Sequence, residues 1–212
     1  MKSDLFCNRP PPASIPIKGA EVELMYDFLS SVRADEVLRA LIENTPWRTE
    51  NVVMWGKQYR MPRLTAWYGD TGCMYAYSGI AMQPLPWTPL LRDLRSMVED
   101  ACSARFNSVL LNYYRHQRDS MGMHSDDESE LGQRPTIASL SLGEERVLKF
   151  VPRRGQRLQP ASLALPSGSL LLMKGDTQRN WKHGIAKSGR HMGPRVNLTF
   201  RQIVQAGEPP TG

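Results

Sequence analysis

After Phe106 the chain breaks into short segments of strand-like composition, and this pattern limits the fold more than any other feature. Proline, glycine and charged residues separate the segments at intervals typical of a β-sandwich or barrel. The predicted strands span residues 108–114, 136–142, 147–151, 169–173 and 195–204. Segments this short bury their apolar side chains only when they pair into sheets that pack together. The second half of the chain is therefore predicted to be all β.

Two amphipathic helices are predicted ahead of this half. Ser30 or Ser31 can cap the first helix, which should stop before Pro46 because the residue ahead of a proline avoids the helical region. Thr88 can cap the second helix, with Pro89 at its first position. Two helices followed by strands predict a mixed α+β fold that is mainly β. The expected architecture is a jelly roll supported by these N-terminal helices on one sheet.

The remaining segments define the predicted domain boundaries. Residues 1–20 are rich in proline and small residues, which is typical of a mobile tail. Residues 51–80, which come after the first helix, show short runs with tryptophan, tyrosine and glycine that are typical of hairpins and loops. No repeat or linker divides the chain. We expect one domain over residues 21–204 and a C-terminal tail over 205–212.

Charge and cysteine content narrow the functional classes. The net charge of +6 suits a polyanionic partner, although a merely soluble basic protein fits the charge equally well. The three cysteines show no disulfide or zinc-ribbon spacing, which favours a reducing compartment. No secretory leader is evident, and no apolar run approaches the roughly 20 residues of a membrane helix. We expect a cytoplasmic monomer (nuclear in a eukaryote) with no membrane partner.

Three residues are candidates for a metal site. In an extended stretch, residues two apart point the same way, so His124 and Asp126 can bind one ion. His183, farther along the β-rich half, can supply a third ligand. Two imidazoles and one carboxylate leave open positions on iron(II) for oxygen chemistry, whereas zinc usually takes a closed set of four, or three with water. A lone His-x-Asp is more often a surface turn, so the assignment depends on the residues nearer the C-terminus.

The segment 194–201 alternates polar and apolar residues, which is typical of a half-buried strand. Its polar face consists of Arg195, Asn197, Thr199 and Arg201. Charged groups are seldom buried without a partner, and a dicarboxylic acid would be one, since arginine binds carboxylates through two hydrogen bonds. Asn112 and Tyr114 share one face of another predicted strand and can complete such a pocket. Considered alone, segment 194–201 could equally be an edge strand with its arginines in solvent or in salt bridges.

Longer strings around these residues are shared with a known family. They are PRLTAWYG at 62–69, FNS at 106–108, NYY at 112–114, HSDDE at 124–128, IASLSLG at 137–143, GSLL at 168–171 and PRVNLTFR at 194–201. Over residues 21–204 the chain resembles the AlkB family of iron(II)- and 2-oxoglutarate-dependent dioxygenases, which remove alkyl groups from nucleic-acid bases. The resemblance implies a double-stranded β-helix, the jelly roll above, with a nucleotide-recognition lid over residues 51–80.

The resemblance also implies roles for individual residues. His124, Asp126 and His183 would bind iron(II), with 2-oxoglutarate and O2 as co-substrates. Arg195 would take the distal carboxylate of 2-oxoglutarate and Arg201 the carboxylate next to the keto group. The full set implied at 2-oxoglutarate is Asn112, Tyr114, Arg195, Asn197, Thr199 and Arg201. The set implied at the base is Trp55, Gly56, Lys57, Tyr75, Ala76, Tyr77 and Asp127, with Glu128 as second choice to Asp127. Arg63 is a further candidate for substrate binding, as a basic residue beside this pocket.

The function implied by the resemblance is direct-reversal repair of alkylated DNA, with RNA as a further substrate class. Bases such as 1-methyladenine and 3-methylcytosine would lose the methyl group as formaldehyde, while 2-oxoglutarate becomes succinate and CO2. These bases are cationic, so the faces of Tyr75 and Tyr77 and a nearby carboxylate would favour them once flipped out. Lys57, Arg60 and Arg63 flank this pocket and can contact phosphates.

Three alternatives stay open at this point. The chain can be an oxygenase of the same fold that acts on a protein or a small molecule, a nucleic-acid-binding module without turnover, or a structural zinc protein. The preference among single-stranded DNA, duplex DNA and RNA is open. Duplex activity needs a wedge residue, for which Met54 and Trp55 are candidates. The basic segment 146–157 has no assigned role.

Overall fold

The computed structural model describes residues 11–54, 57–73, 75–77 and 80–204. The elements of the first half are β1 (Ala13–Ser14), β2 (Glu21–Met25), α1 (Ser31–Asn44), β3 (Asn51–Met54), β4 (Lys57–Arg60), β5 (Leu64–Gly69), β6 (Tyr75–Tyr77), β7 (Ile80–Met82) and α2 (Pro89–Cys102). Those of the second half are β8 (Ser108–Tyr114), β9 (Met121–His124), β10 (Ile137–Gly143), β11 (Arg146–Pro152), β12 (Ala161–Leu165), β13 (Leu170–Lys174), α3 (Thr177–Asn180), β14 (Trp181–Ile185) and β15 (Arg195–Arg201). The fold is mainly β, as predicted.

The strands form two main antiparallel sheets. The larger sheet has seven strands in the order β1-β2-β13-β10-β15-β8-β5, and the smaller has four in the order β12-β11-β14-β9. The hairpins β3–β4 and β6–β7 each form a separate two-stranded sheet. Within the described residues, no helix is long and apolar enough to cross a membrane.

Two apolar clusters hold the layers together. One cluster joins α1 and α2 to the larger sheet, through residues such as Val37, Leu94 and Leu198. The other lies between the two sheets and includes Phe150 and Trp181 from the smaller sheet. Because β15 contributes apolar side chains to the first cluster, its alternate polar side chains face the smaller sheet.

The predicted helix boundaries are confirmed. The Ser30 hydroxyl accepts a hydrogen bond from the Arg33 backbone N–H at 3.4 Å, and α1 ends before Thr45, which is extended. The Thr88 hydroxyl accepts from the Leu91 backbone N–H at 3.2 Å, at the start of α2. Local capping chemistry therefore defines both helices.

The predicted strands are also confirmed, most of them to within one residue at each end. The last strand ends at Arg201, three residues earlier than predicted. Three strands of the second half were not predicted: β9, β12 and β14. Two of these, β9 and β14, contain the candidate metal ligands His124 and His183.

Two predicted boundaries differ from the structure. Residues 13–20 belong to the fold, since β1 pairs with β2 and Ile17 is buried in the cluster between the sheets. Strand β5 lies inside the segment 51–80 yet pairs with β8 in the larger sheet. Its side chains Thr65, Ala66 and Tyr68 are buried, so packing places β5 in the sheet rather than in a lid. Among the described strands, only the hairpins β3–β4 and β6–β7 stand outside both main sheets.

Candidate metal centre and co-substrate pocket

The three predicted metal ligands meet at one end of the smaller sheet. His124 ends β9 and lies directly opposite His183 in the ladder with β14, and their ring centroids are 4.4 Å apart. Asp126 lies two residues beyond His124. Its Oδ1 lies 3.8 Å from His124 Nε2, and its Oδ2 lies 4.0 Å from His183 Nε2. One potential ligand atom from each side chain lies within 4.8 Å of the others.

Hydrogen bonds orient these side chains. The Gly122 carbonyl lies 3.0 Å from His124 Nδ1, which favours a proton on that nitrogen and leaves the Nε2 lone pair directed toward Asp126. The Asp126 backbone N–H donates to Oε1 of Gln178 at 3.0 Å. The hydroxyl of Ser125 donates to the Trp181 carbonyl at 2.8 Å, two residues ahead of His183. The two parts of the site are thus tied to each other directly.

Electrostatics favour the protonation states that a metal needs. Burial opposes ionisation of Asp126, but the Arg201 guanidinium and the two imidazoles outweigh it and hold the pKa of Asp126 at about 2. Burial and the neighbouring His124 lower the pKa of His183 to about 4. Near neutral pH the set is therefore one carboxylate with a neutral His183, as metal binding requires.

The residues fit a divalent metal ion. Asp126 Oδ2 is buried, and within the described part of the chain it has no hydrogen-bond partner. A buried carboxylate oxygen left unpartnered is costly unless an ion or ligand meets it. Three protein ligands of the types N, N and O leave coordination positions for other molecules, which is the pattern of non-haem iron(II) oxygenases.

The polar face of β15 lies beside this site. Arg195, Asn197 and Thr199 are buried and line the same cavity as the metal ligands, and so does Arg201. Val196, Leu198 and Phe200 pack on the helix side, so the predicted assignment of faces is confirmed. The Arg201 Nη2 atom donates to Asp126 Oδ1 at 2.7 Å, which places its guanidinium at the metal end of the strand.

Arg195 marks the other end of the cavity. Its Nη2 donates to the Ser141 hydroxyl at 3.0 Å, and the side chain is 2% exposed. Its Nε and Nη1 are buried and make no hydrogen bond of good geometry with a described residue, although the Tyr114 side chain interacts with this guanidinium. Asn197 is held by the Ser139 hydroxyl at 2.7 Å and in turn accepts from Thr199 at 3.0 Å. Two unpartnered donors on a buried guanidinium are suited to a carboxylate ligand.

The cavity has a volume of about 730 Å³, which is ample for a small diacid with room for a further group. Asn112 and Tyr114 line it, as predicted for a pocket beside β15. Arg63 also lines it but is 8% exposed, and its Nε donates to Asn112 Oδ1 at 2.6 Å. The expected phosphate contact does not suit so buried an arginine. The hydrogen bond from Arg63 instead orients the Asn112 side chain.

The residues predicted at the base are only partly within the described structure. Trp55 and Gly56 lie outside the described residues, and for Lys57, Tyr75, Ala76 and Tyr77 only the backbone course of β4 and β6 is described. Glu128 lines the cavity. Asp127 is not among the lining residues, and its carboxylate forms an ion pair with Arg153 at the surface.

Several residues around the site were not predicted. Ser139 and Ser141 could have been found, because they alternate with apolar residues along β10 and so share one face. No sequence pattern indicates Gln178, because it lies in the one-turn helix α3 and contacts Asp126 only through the fold. Arg146 was noted only as part of a basic segment, and it is buried.

Comparisons with known proteins agree with this geometry. Residues 21–201 match the family model described as the 2OG-Fe(II) oxygenase superfamily. The human alpha-ketoglutarate-dependent dioxygenase alkB homolog 3 is 38% identical over 196 residues, which cover 89% of this chain and 68% of that protein. The human DNA oxidative demethylase ALKBH2 is 36% identical over 198 residues, covering 89% of this chain and 76% of that protein. The mouse ALKBH2 protein is 38% identical over 186 residues, covering 84% and 78% respectively.

A solved structure shares the fold. The structure of OsALKBH1 matches with a TM-score of 0.66 and 18% sequence identity, covering 91% of this chain and 100% of that chain. At this identity the match concerns the arrangement of the strands and helices alone.

Proposed function

Since this chain belongs to the 2OG-Fe(II) oxygenase superfamily and to the AlkB homologues within it, we propose that it removes alkyl groups oxidatively from N-alkylated DNA bases. The family makes it an iron(II)- and 2-oxoglutarate-dependent dioxygenase. Relatives named DNA oxidative demethylase support DNA as the substrate class. The preferred lesions are bases methylated at a ring nitrogen, 1-methyladenine and 3-methylcytosine. RNA carrying the same lesions is a second substrate class to be tested beside DNA.

One observation supports the proposal most strongly. His124, Asp126 and His183 converge in a cavity that also holds the buried, partly unpartnered guanidinium of Arg195. In this proposal the three convergent side chains hold the iron. When bound, the iron supplies the activation of O2 that oxidises 2-oxoglutarate and the alkyl carbon. The chain's own residues position the two substrates and keep water out, and no general base is needed.

The co-substrate is proposed to lie along β15 with a fixed orientation. Arg201 contacts Asp126 and so lies at the metal end, where the carboxylate beside the keto group must be. Arg195 lies at the other end, with Nε and Nη1 available for the distal carboxylate. Asn112 and Tyr114 complete the pocket from β8. Asn197 and Thr199 line the cavity between the two arginines.

The base pocket is proposed to lie at the mouth of this cavity. The hairpins β3–β4 and β6–β7 stand outside both sheets and would form the nucleotide-recognition lid of a double-stranded β-helix. Its contacts with the base would come from Trp55, Gly56, Lys57, Tyr75, Ala76 and Tyr77. The dioxygenase domain would then be a single unit over residues 13–204, with these hairpins as its lid.

A carboxylate near the base would favour a cationic lesion over the neutral, repaired base. Glu128 lines the cavity, which supports a direct role in this preference. Asp127 would join it only if its carboxylate leaves Arg153 when nucleic acid binds. We therefore propose that Glu128 contacts the cationic base directly. Asp127 would contact the base only after its ion pair with Arg153 is broken.

The test is demethylation of a DNA oligonucleotide that carries one 1-methyladenine. With iron(II), 2-oxoglutarate and O2, mass spectrometry should show loss of the methyl group, with formaldehyde and succinate formed in equal amounts. His183→Ala should lose turnover. His191→Ala is the matched control, since His191 is exposed and outside the cavity, and it should keep full activity. Parallel oligonucleotides of duplex DNA and RNA would rank the substrate classes.

Two results would contradict the proposal. If 2-oxoglutarate is consumed but methylated DNA and RNA stay unchanged, the chain is an oxygenase for a different substrate. If no succinate forms with iron(II) present, the chain lacks turnover and acts as a binding module.

A further inference from the structure

A second buried cation lies behind the co-substrate pocket. Arg146, the first residue of β11, is 3% exposed. Its Nη2 donates to the Asp119 carbonyl at 3.0 Å and to the Ala186 carbonyl at 2.6 Å. The guanidinium carbon lies 5.6 Å from the centroid of the Tyr114 ring. Burial lowers the pKa of Arg146, which means that keeping the guanidinium charged inside the protein costs desolvation free energy.

The same aromatic ring also meets Arg195. The Arg195 guanidinium carbon lies 5.1 Å from the Tyr114 centroid, so Tyr114 contacts one guanidinium from each main sheet. Tyr114 lines the cavity, whereas Arg146 does not. Arg146 is therefore placed to act on a ligand through Tyr114 and through its field, without touching the ligand.

The carboxylates near this end of the cavity are already paired with other arginines. Among the described residues, no carboxylate forms an ion pair with Arg146 or Arg195 within 4.0 Å. The charges of Asp119 and Glu144 favour the protonated Arg146 and partly oppose the lowering of its pKa by burial. Asp119 accepts hydrogen bonds from Arg115 at 2.8 and 3.0 Å, and Glu144 accepts one from Arg190 at 3.1 Å, so neither carboxylate is ion-paired with Arg146. Two buried guanidiniums with no directly ion-paired carboxylate among the described residues form a site that an added negative charge would complete.

We propose that Arg146 is a positioning residue that makes the pocket selective for a keto acid with a second, distal carboxylate. The inference rests on the proposed function, because it assumes that Arg195 meets the distal carboxylate of 2-oxoglutarate. Arg146 packs against the Tyr114 ring and restricts its position. Its positive charge also adds to the electrostatic potential of Arg195 at this end of the cavity. A monocarboxylic keto acid such as 2-oxobutyrate places no charge there and gains nothing from Arg146.

The test compares the binding of two ligands by calorimetry, on protein loaded with the redox-inert ion Mn(II). Arg146→Met should raise the Kd of 2-oxoglutarate on the order of tenfold and leave the Kd of 2-oxobutyrate within about twofold. Arg146→Lys keeps the charge and should lose only about two- to threefold, again for 2-oxoglutarate alone. Lys149→Met is the matched control. It removes the same charge from the solvent-facing side of β11 and should change neither Kd.

An equal loss for both ligands in Arg146→Met, or no loss for either, would overturn the inference. If Arg146→Met does not fold, Arg146→Lys decides: a loss confined to 2-oxoglutarate supports the inference, and an equal change in both overturns it. Failure of the proposed function is seen in a different measurement. If methylated DNA and RNA stay unchanged while the unsubstituted protein still binds 2-oxoglutarate more tightly than 2-oxobutyrate, the proposed function fails and the inference about Arg146 stands.

Discussion

Replacing Gln178 by leucine should weaken metal binding without any change to the metal ligands. The Gln178 side chain is 2% exposed, and its Oε1 accepts the backbone N–H of Asp126 at 3.0 Å. Leucine fills a similar volume but leaves this buried N–H without an acceptor, at a cost of about 1–3 kcal/mol. The N–H can then regain a partner only if the Asp126 backbone turns. The carboxylate would move with it.

The expected loss of metal affinity is about 10- to 100-fold, the range typical when a group that orients a ligand is removed. The assay is titration of metal-free protein with Co(II), monitored by its visible absorption, together with urea unfolding in the presence of a chelator. Gln178→Leu should change both measurements. Gln178→Glu keeps an acceptor oxygen and should recover part of the affinity.

Ser169→Ala is the matched stability control. Ser169 is fully buried, and its hydroxyl donates to the Pro166 carbonyl at 2.7 Å, away from the metal ligands. This variant should lower the free energy of unfolding by about 1 kcal/mol and leave the Co(II) affinity unchanged. Equal Co(II) affinity for Gln178→Leu and the unsubstituted protein would show that Gln178 does not orient Asp126 for metal binding.

Three further predictions concern other parts of the structure. Arg63→Met removes the donor that orients Asn112 and should raise the KM for 2-oxoglutarate several-fold with a smaller effect on kcat, in steady-state assays of succinate formation. Gly143→Ala adds a Cβ that overlaps a backbone carbonyl at a residue with φ of 88°, and should lower the free energy of unfolding in urea by about 1–3 kcal/mol. Burial raises the pKa of Asp119, but the hydrogen bonds and charge of Arg115 outweigh burial and lower it overall. This ion pair therefore contributes stability above the unfolded pKa of about 3.8. The contribution is lost as the pH falls through the folded pKa. Asp119→Asn should flatten this part of the pH dependence of unfolding, and an unchanged acid limb would contradict the assignment.

Local chemistry explains which features could be predicted from the sequence. Thr88 and Pro89 mark the start of α2 because their effect is confined to one turn of helix. The alternation of Arg195 to Arg201 predicts the two faces of β15, since a strand between a helix layer and a polar cavity must alternate. Both features depend on neighbours in the chain, and both are confirmed.

Features that depend on distant contacts could not be predicted in this way. Strands β9 and β14 are short, and glycine and histidine interrupt any alternation of apolar residues. Pairing with each other and with β11 makes them strands. The burial of Arg63 and Arg146 could not be predicted either, because arginine side chains are ordinarily exposed. The acceptors of their hydrogen bonds, the Asn112 amide oxygen and two backbone carbonyls, come from distant parts of the chain.

A crystal structure with Mn(II) and N-oxalylglycine would show directly how the metal and the co-substrate are arranged in this cavity. N-oxalylglycine has the shape and charges of 2-oxoglutarate but does not react. We expect the ion to be bound by His124, Asp126 and His183, with the distal carboxylate of the analogue on Arg195. An ion bound elsewhere, or a distal carboxylate on Arg201, would show that this arrangement is wrong.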